Sequence, residues 1–76
     1  MINIWKYDVG EKLQILTMKN AVFVGYIEAI TDAGERSDLE KQEDSLGIIT
    51  DDGRHIEIYQ SEIKSIERLT STENIA

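Results

Sequence analysis

The fold is decided by residues 44–69, which read DSLGIITDDGRHIEIYQSEIKSIERL. Three apolar-periodic runs in this stretch are separated by a turn at Asp52-Gly53 and a corner at Gln60-Ser61. An Asp-Gly pair between alternating runs is a strong signal for a two-residue β-hairpin turn. An apolar period of two is typical of strands. The stretch therefore predicts three short antiparallel strands with tight connections.

Alternation along these runs also predicts which side chains face the core. His55, Glu57 and Tyr59 fall on the outward face of the middle run, by i, i+2 spacing. The corner over residues 60–64 is expected to be a single 3₁₀ turn. The inward set predicted from the pattern is Leu46, Ile48, Thr50, Ile56, Ile58, Ile63 and Ile66.

Two further strands are predicted upstream, over residues 12–18 and 21–32. In the first, Leu13, Ile15 and Thr17 share one face. Lys19-Asn20 supplies the turn, since Asn tolerates a positive φ. The second run is apolar on both faces, and Gly25 in its middle predicts a bend or a close backbone approach.

The other segments complete a single domain over residues 1–70. Residues 1–9 predict a short N-terminal strand, or a turn of helix across one mouth of the small antiparallel β-barrel that these strands would form. Residues 33–44 are expected to form an acidic, solvated loop, in which residues 38–42 could make one turn of helix. We interpret this loop as a tolerated insertion rather than a functional appendage, since lengthening a surface loop costs little entropy. Residues 71–76 are expected to be a flexible tail.

Composition excludes several classes of site. The chain has no cysteine and one histidine, so disulfides, thiolate metal sites and multi-histidine zinc sites are ruled out. No stretch approaches the roughly 20 apolar residues of a membrane span, and the start lacks the pattern of a signal peptide. We therefore expect a cytoplasmic protein without a membrane partner.

Taken in order, these features resemble the Sm-like (LSM domain) family over residues 10–69. The resemblance implies an all-β fold, a five-stranded, strongly bent antiparallel SH3-like barrel. The features that resemble the family's first segment are Leu13, Ile15, Lys19-Asn20, Phe23, Gly25, Ile27 and Asp32. Those that resemble the family's second segment are Ile56, Ile58, Gln60-Ser61, Ile63 and Ile66.

Two departures from the family pattern bear on function. RNA-binding members usually place an Asn shortly after the Asp and an Arg-Gly pair at the last corner. Here no Asn follows Asp32 in the loop, and the corner is Gln60-Ser61. The net charge of −7 also opposes the approach of nucleic acid. The expected function is a non-enzymatic binding or assembly module that contacts proteins; the alternative is an RNA-binding Sm-like protein that uses a local patch.

Three groups of residues are candidate sites, and none predicts a catalytic, cofactor or metal role. His55, Glu57 and Tyr59 could pair as acid and base but predict a solvated strand face, because such chemistry needs a pocket and positioned partners. The carboxylates of Asp44, Asp51 and Asp52 could bind a hard cation weakly but lack a loop spacing that supports it. Trp5, Lys6 and Tyr7 could form a base-stacking platform; we favour Trp5 as a cap of the core or of an interface.

Self-association is the remaining expectation. The runs from Arg54 to Tyr59 and from Ser65 to Leu69 are predicted to be open edges of the sheet, and neither contains the proline that would block pairing. The family resemblance implies that such edges join head to tail, up to a closed ring. Against this, Glu57, Glu62 and Glu67 place like charge near the seam.

Overall fold

The computed structural model describes residues 2–35 and 43–69. These residues form five antiparallel strands in one sheet with the order β4-β3-β2-β1-β5, and they contain no α-helix. The all-β, five-stranded prediction is therefore confirmed. The helical turn predicted around 38–42 and the predicted tail lie outside the described residues. The strands are β1 (Lys12–Thr17), β2 (Val22–Thr31), β3 (Ser45–Thr50), β4 (His55–Tyr59) and β5 (Ile63–Arg68).

The β1–β2 turn follows its prediction, whereas the β3–β4 turn does not. Asn20 has a φ of 66°, as expected of an Asn in a turn. The predicted two-residue loop at Asp52-Gly53 is wrong: the Thr50 N–H donates to the carbonyl oxygen of Arg54 at 2.9 Å, which leaves three residues in the loop. The Thr50 hydroxyl also bonds the Asp52 carboxylate and fixes this wider turn. Gly53, with a φ of 85°, supplies the left-handed position that a three-residue loop needs.

The backbones of β2 and β3 lie close together at Gly25, and an irregularity in their pairing follows. A Cβ added to Gly25 would lie 2.5 Å from the carbonyl oxygen of Ile49, so the backbones approach as the sequence predicted. Beyond Ile27 the pairing with β3 shifts, and it resumes at Ala29. A shift of this kind is a β-bulge, which bends a strand and increases its twist.

The core lies on one face of the sheet and contains side chains from every strand. It contains the predicted inward side chains of β1 and β3, together with Ile58 and Ile63. Ile63 both fills the core and begins β5, two residues before the run at Ser65 that the sequence predicted. A 3₁₀ turn, Gln60–Glu62, forms the corner before it. The buried apolar side chains are Ile4, Tyr7, Leu13, Ile15, Ile27, Leu46, Ile48, Ile58 and Ile63.

The N-terminal segment is a 3₁₀ turn, Ile4–Lys6, that packs on the core. The Asn3 side chain caps it by accepting the Trp5 N–H at 3.0 Å, and Ile4 is completely buried. Gln60, which follows β4, donates to the carbonyl oxygen of Ile2. Arg68, at the end of β5, donates to the carbonyl oxygen of Lys6 at 2.9 Å. The segment therefore connects the ends of the two outermost strands.

Candidate functional site

Strands β4 and β5 are the two edges of the described sheet. Each pairs with one neighbour only, β4 with β3 and β5 with β1, and within residues 2–35 and 43–69 no strand covers their outer sides. An edge strand of this kind is a template for pairing with another chain. The two runs for which the sequence predicts open edges are therefore the outermost strands.

Each edge carries an isoleucine that is only partly buried. Ile56 on β4 and Ile66 on β5 both pack against the core cluster and are only partly buried. Ile58, the next inward residue of β4, is 3% exposed and belongs to the core itself. A strand added to either edge would cover an isoleucine that the monomer leaves partly in water.

The charges along the two edges differ. The exposed side chains of β4 include His55 and Glu57, and those of β5 include Lys64, Glu67 and Arg68. Arg68 is held within its own chain, because it donates to Glu11 at 2.7 Å. The Glu11 pKa lies below its usual value since its carboxylate accepts the Asp8 N–H and also binds Arg68. The β5 edge carries both signs of charge.

The predicted outward set of β4 divides into separate contacts. His55 Nδ1 lies 2.8 Å from Oε1 of Glu28, which follows the last regular pair of β2 before the bulge. Glu57 instead accepts a hydrogen bond from the Ser45 hydroxyl at 2.6 Å. Both contacts border a shallow pocket of about 200 Å³ around Gly47. The His55 side chain is 66% exposed, so the pair is open to water and lacks the enclosure that acid–base catalysis needs.

The three aspartates considered for a cation lie in different contacts. Asp51 is 3.7 Å from the Lys12 ammonium, and Asp52 pairs with Arg54 at 3.2 Å in the β3–β4 turn. Asp44 accepts the Trp5 indole N–H at 2.7 Å and the Ala33 N–H at 3.0 Å. In the described part of the chain no three His, Asp or Glu side chains converge on a metal position.

These hydrogen bonds change the acidity of two of the aspartates. The Trp5 indole, followed by the Ala33 amide, holds the pKa of Asp44 below its usual range, because both bonds favour the ionised carboxylate. The Thr50 hydroxyl does the same for the pKa of Asp52. Each carboxylate is therefore more acidic in the folded chain than in the unfolded chain.

We expect the protein to lose stability in acid. A carboxylate with a lowered folded pKa contributes stability above the ordinary Asp pKa of about 3.9 and loses it as the pH falls through the folded value. Trp5→Phe removes the main donor to Asp44 and should flatten the fall in urea midpoint between about pH 5 and pH 2. Tyr26→Phe, which removes a hydroxyl elsewhere, is the control. Identical pH profiles for Trp5→Phe and the parent chain would contradict this assignment.

The N-terminal aromatic residues do not form one exposed platform. Trp5 is 46% exposed with its indole N–H on Asp44, whereas the Tyr7 ring is buried. The Arg68 guanidinium lies 4.7 Å from the centroid of the Tyr7 ring and the Lys6 ammonium 5.5 Å from it. The core is thus capped by Ile4 and Tyr7, and Trp5 lies at its margin.

Sequence reasoning missed two features of this region. The contact between Glu28 and His55 depends on the β2 bulge, which shifts the register of β2 against β3, and no residue pattern marks that bulge. The second is the burial of Ile4. Apolar residues on both sides of Asn3 hint at it, but the segment is too short for an apolar period to show which of its side chains face the core. Ile56 and Ile66 were predicted to face inward, and their partial exposure follows from their place at the edges.

Comparisons of the chain with protein-family models, with curated proteins and with solved structures gave no match. The helices within residues 2–35 and 43–69 are 3₁₀ turns of three residues, and none is long or apolar enough to cross a membrane.

Proposed function

We propose that this protein is a non-enzymatic binding and assembly module of the Sm-like kind, which associates through β4 of one copy and β5 of the next. The observation that carries the proposal is the pair of open edges, each with a partly exposed isoleucine facing inward. Pairing would satisfy the backbone groups of both edges and cover Ile56 and Ile66.

The strand order of the sheet supports this mode of assembly. The order β4-β3-β2-β1-β5 leaves β4 and β5 at opposite edges, so the two contact surfaces of one copy are different. An interface between different surfaces is heterologous and produces a ring when the rotation closes. The bulge after Ile27 lies in the central strand β2, and a bulge bends and twists its strand.

The small core gives a physical reason for association. A chain of this size buries only about 60% of its unfolded surface, and small domains often gain stability by oligomerisation. The excess of carboxylates opposes it, since each added copy brings a charge of −7. Assembly should therefore strengthen with ionic strength, which screens repulsion between exposed charges.

Ile56→Lys should convert the assembly to a monomer. The substitution places a charge at a partly buried edge position and leaves the fully buried core residues in place. The measurement is the molar mass by light scattering after gel filtration at micromolar concentration. Val9→Lys, at a position 65% exposed in the turn before β1, is the control and should keep the mass of the parent chain. Ile58 is unsuitable for this purpose, because its burial means that a lysine there would unfold the protein.

Assembly would be refuted if the parent chain eluted with the mass of a monomer at every concentration. The β4–β5 seam would be refuted if Ile56→Lys had the same mass as an oligomeric parent chain. The RNA-binding alternative is tested on the same samples by adding uridine-rich and adenine-rich RNA at several salt concentrations. Tight binding that weakens steeply with salt would favour that alternative over the protein-binding module.

A further inference from the structure

A second surface lies at the turn end of the β1–β2 hairpin and reaches the β5 edge only at Lys64. We define the hairpin-end surface as Leu16, Met18, Lys19, Val22 and Lys64. Leu16 and Val22 are cross-strand partners on the face opposite the core, and Lys64 lies on the neighbouring strand β5, beside the partner of Leu16. Met18 and Val22 are 61% and 55% exposed, so the surface places large apolar side chains in water.

The charge of this hairpin is opposite to that of the rest of the chain. Residues 12–27 contain two lysines and no carboxylate, which makes the segment +2 in a chain of −7 and leaves −9 on the remainder. Lys12 is engaged with Asp51 at 3.7 Å, whereas Lys19 and Lys64 make no ion pair with any residue that the structure describes. Within the described part of the chain, two ammonium groups that make no ion pair therefore flank the exposed apolar side chains.

A groove runs along the same surface. Met18 and Lys64 line an open depression of about 580 Å³ together with Ile2, Gln60, Ser61 and Ile63. Met18 and Lys19 line a second, adjoining depression with Ser61 and Glu62. Methionine is common at surfaces that bind varied partners, because its flexible, polarisable side chain adapts to them. An apolar patch with a polar rim is the usual form of a protein interaction site.

We propose that the hairpin-end surface docks an acidic, amphipathic segment of a partner protein. Apolar side chains of the segment would cover Leu16, Met18 and Val22, and its carboxylates would pair with Lys19 and Lys64. Such complementarity of charge selects the partner and accelerates encounter. The surface shares only Lys64, on β5, with the proposed β4–β5 seam, and its apolar side chains Leu16, Met18 and Val22 lie on β1, on β2 and in the turn between them.

Other occupants match these features less well. A nucleic acid or an anionic lipid surface needs several cations to offset the charge of the whole body, and this surface offers two within a chain of −7. A second copy would bring few apolar side chains with its carboxylates, since the exposed large apolar residues described outside this hairpin are Trp5, Val9 and Leu69. A segment that alternates carboxylates with apolar residues fits both the exposed apolar side chains of the surface and its two lysines.

The test is selection from a phage-displayed library of random sixteen-residue peptides, followed by anisotropy titration of the selected peptides labelled with fluorescein. We expect the selected peptides to be acidic and to contain spaced apolar residues. The double variant Lys19→Glu/Lys64→Glu should weaken their binding at least about tenfold. Lys6→Glu/Arg54→Glu, which changes the charge equally elsewhere, is the matched control and should bind as the parent chain does.

A second pair of variants tests the apolar part. Met18→Glu should abolish peptide binding, whereas Val9→Glu, at a similarly exposed apolar position, should preserve it. Peptide-induced shifts in amide NMR spectra should fall on the hairpin-end surface. The proposal would be overturned if the library yielded basic peptides or none, or if the NMR shifts fell elsewhere. Equal peptide binding by Lys19→Glu/Lys64→Glu and the parent chain would also overturn it. So would displacement of the peptide from these residues by RNA or by anionic vesicles.

The docking surface rests on the proposed role as a binding module, but its failure can be told apart from failure of assembly. Ile56→Lys leaves the hairpin-end surface intact, so a monomeric Ile56→Lys chain should still bind the selected peptides. Loss of peptide binding in Ile56→Lys alone would assign the peptides to the seam and overturn the hairpin-end surface. A monomeric parent chain that binds them through Lys19 and Lys64 would refute self-assembly and support this surface.

Discussion

Replacing Gly25 with alanine is expected to lower the free energy of unfolding by about 2–3 kcal/mol. The new Cβ would lie 2.5 Å from the carbonyl oxygen and 2.9 Å from the carbonyl carbon of Ile49, so the backbones of β2 and β3 would have to separate. Both contacts are with backbone atoms, which cannot move aside as a flexible side chain can. The measurement is urea denaturation followed by circular dichroism.

Gly47→Ala is the matched control, because Gly47 lies in β3 of the same sheet. An added Cβ there would meet the carbonyl oxygen of Ala29 at 3.6 Å, an ordinary van der Waals contact. Its effect on stability should stay within about 0.5 kcal/mol, with a small gain from the less flexible unfolded chain offsetting any loss. Equal destabilisation by the two substitutions would show that the close approach at Gly25 does not control the packing of β2 on β3.

Ile4→Ala should cost about 2–5 kcal/mol, the range for truncating a fully buried isoleucine. Ile4 is completely buried although it lies in a short N-terminal turn outside the sheet. The substitution removes the apolar contact that holds this turn on the core, and the hydrogen bonds from Gln60 to Ile2 and from Arg68 to Lys6 would weaken with it.

The single tryptophan, Trp5, gives a direct readout of that turn. In the parent chain we expect Trp5 fluorescence and far-ultraviolet circular dichroism to report one unfolding transition. In Ile4→Ala the fluorescence transition should come at lower urea than the loss of the sheet. Val9→Ala, at an exposed position in the same part of the chain, is the control and should leave both transitions unchanged. An Ile4→Ala chain as stable as the parent would mean that the N-terminal turn contributes nothing to the core.

The strands could be predicted because their alternation is strict and their turn residues are specific. Leu13, Ile15 and Thr17 are all buried in β1 as the period of two requires. Asn20 takes the positive φ that its position in a tight turn calls for. The predicted two-residue loop at Asp52-Gly53 is wrong because the Thr50 hydroxyl bonds Asp52 and Arg54, and a side-chain contact of this kind leaves no periodic signal.

The candidate site was only partly predictable. The sequence predicted that the runs ending at Tyr59 and Leu69 would be edges, and β4 and β5 are the outermost strands of the described sheet. It did not predict that His55 reaches Glu28 across β3, because that contact depends on the register of three strands and on the bulge in β2.

By itself, the sequence determined the all-β class, the strand faces and the need for glycine in the middle of β2, because these follow from local periodicity and backbone sterics. Only the tertiary structure decided which side chains meet across the sheet, how the N-terminal turn completes the core, and which lysines make an ion pair among the described residues. Those features arise from contacts between residues far apart in the chain, such as Arg68 with Lys6 and Trp5 with Asp44. Such contacts depend on the curvature and register of the whole sheet, which no single stretch of sequence specifies.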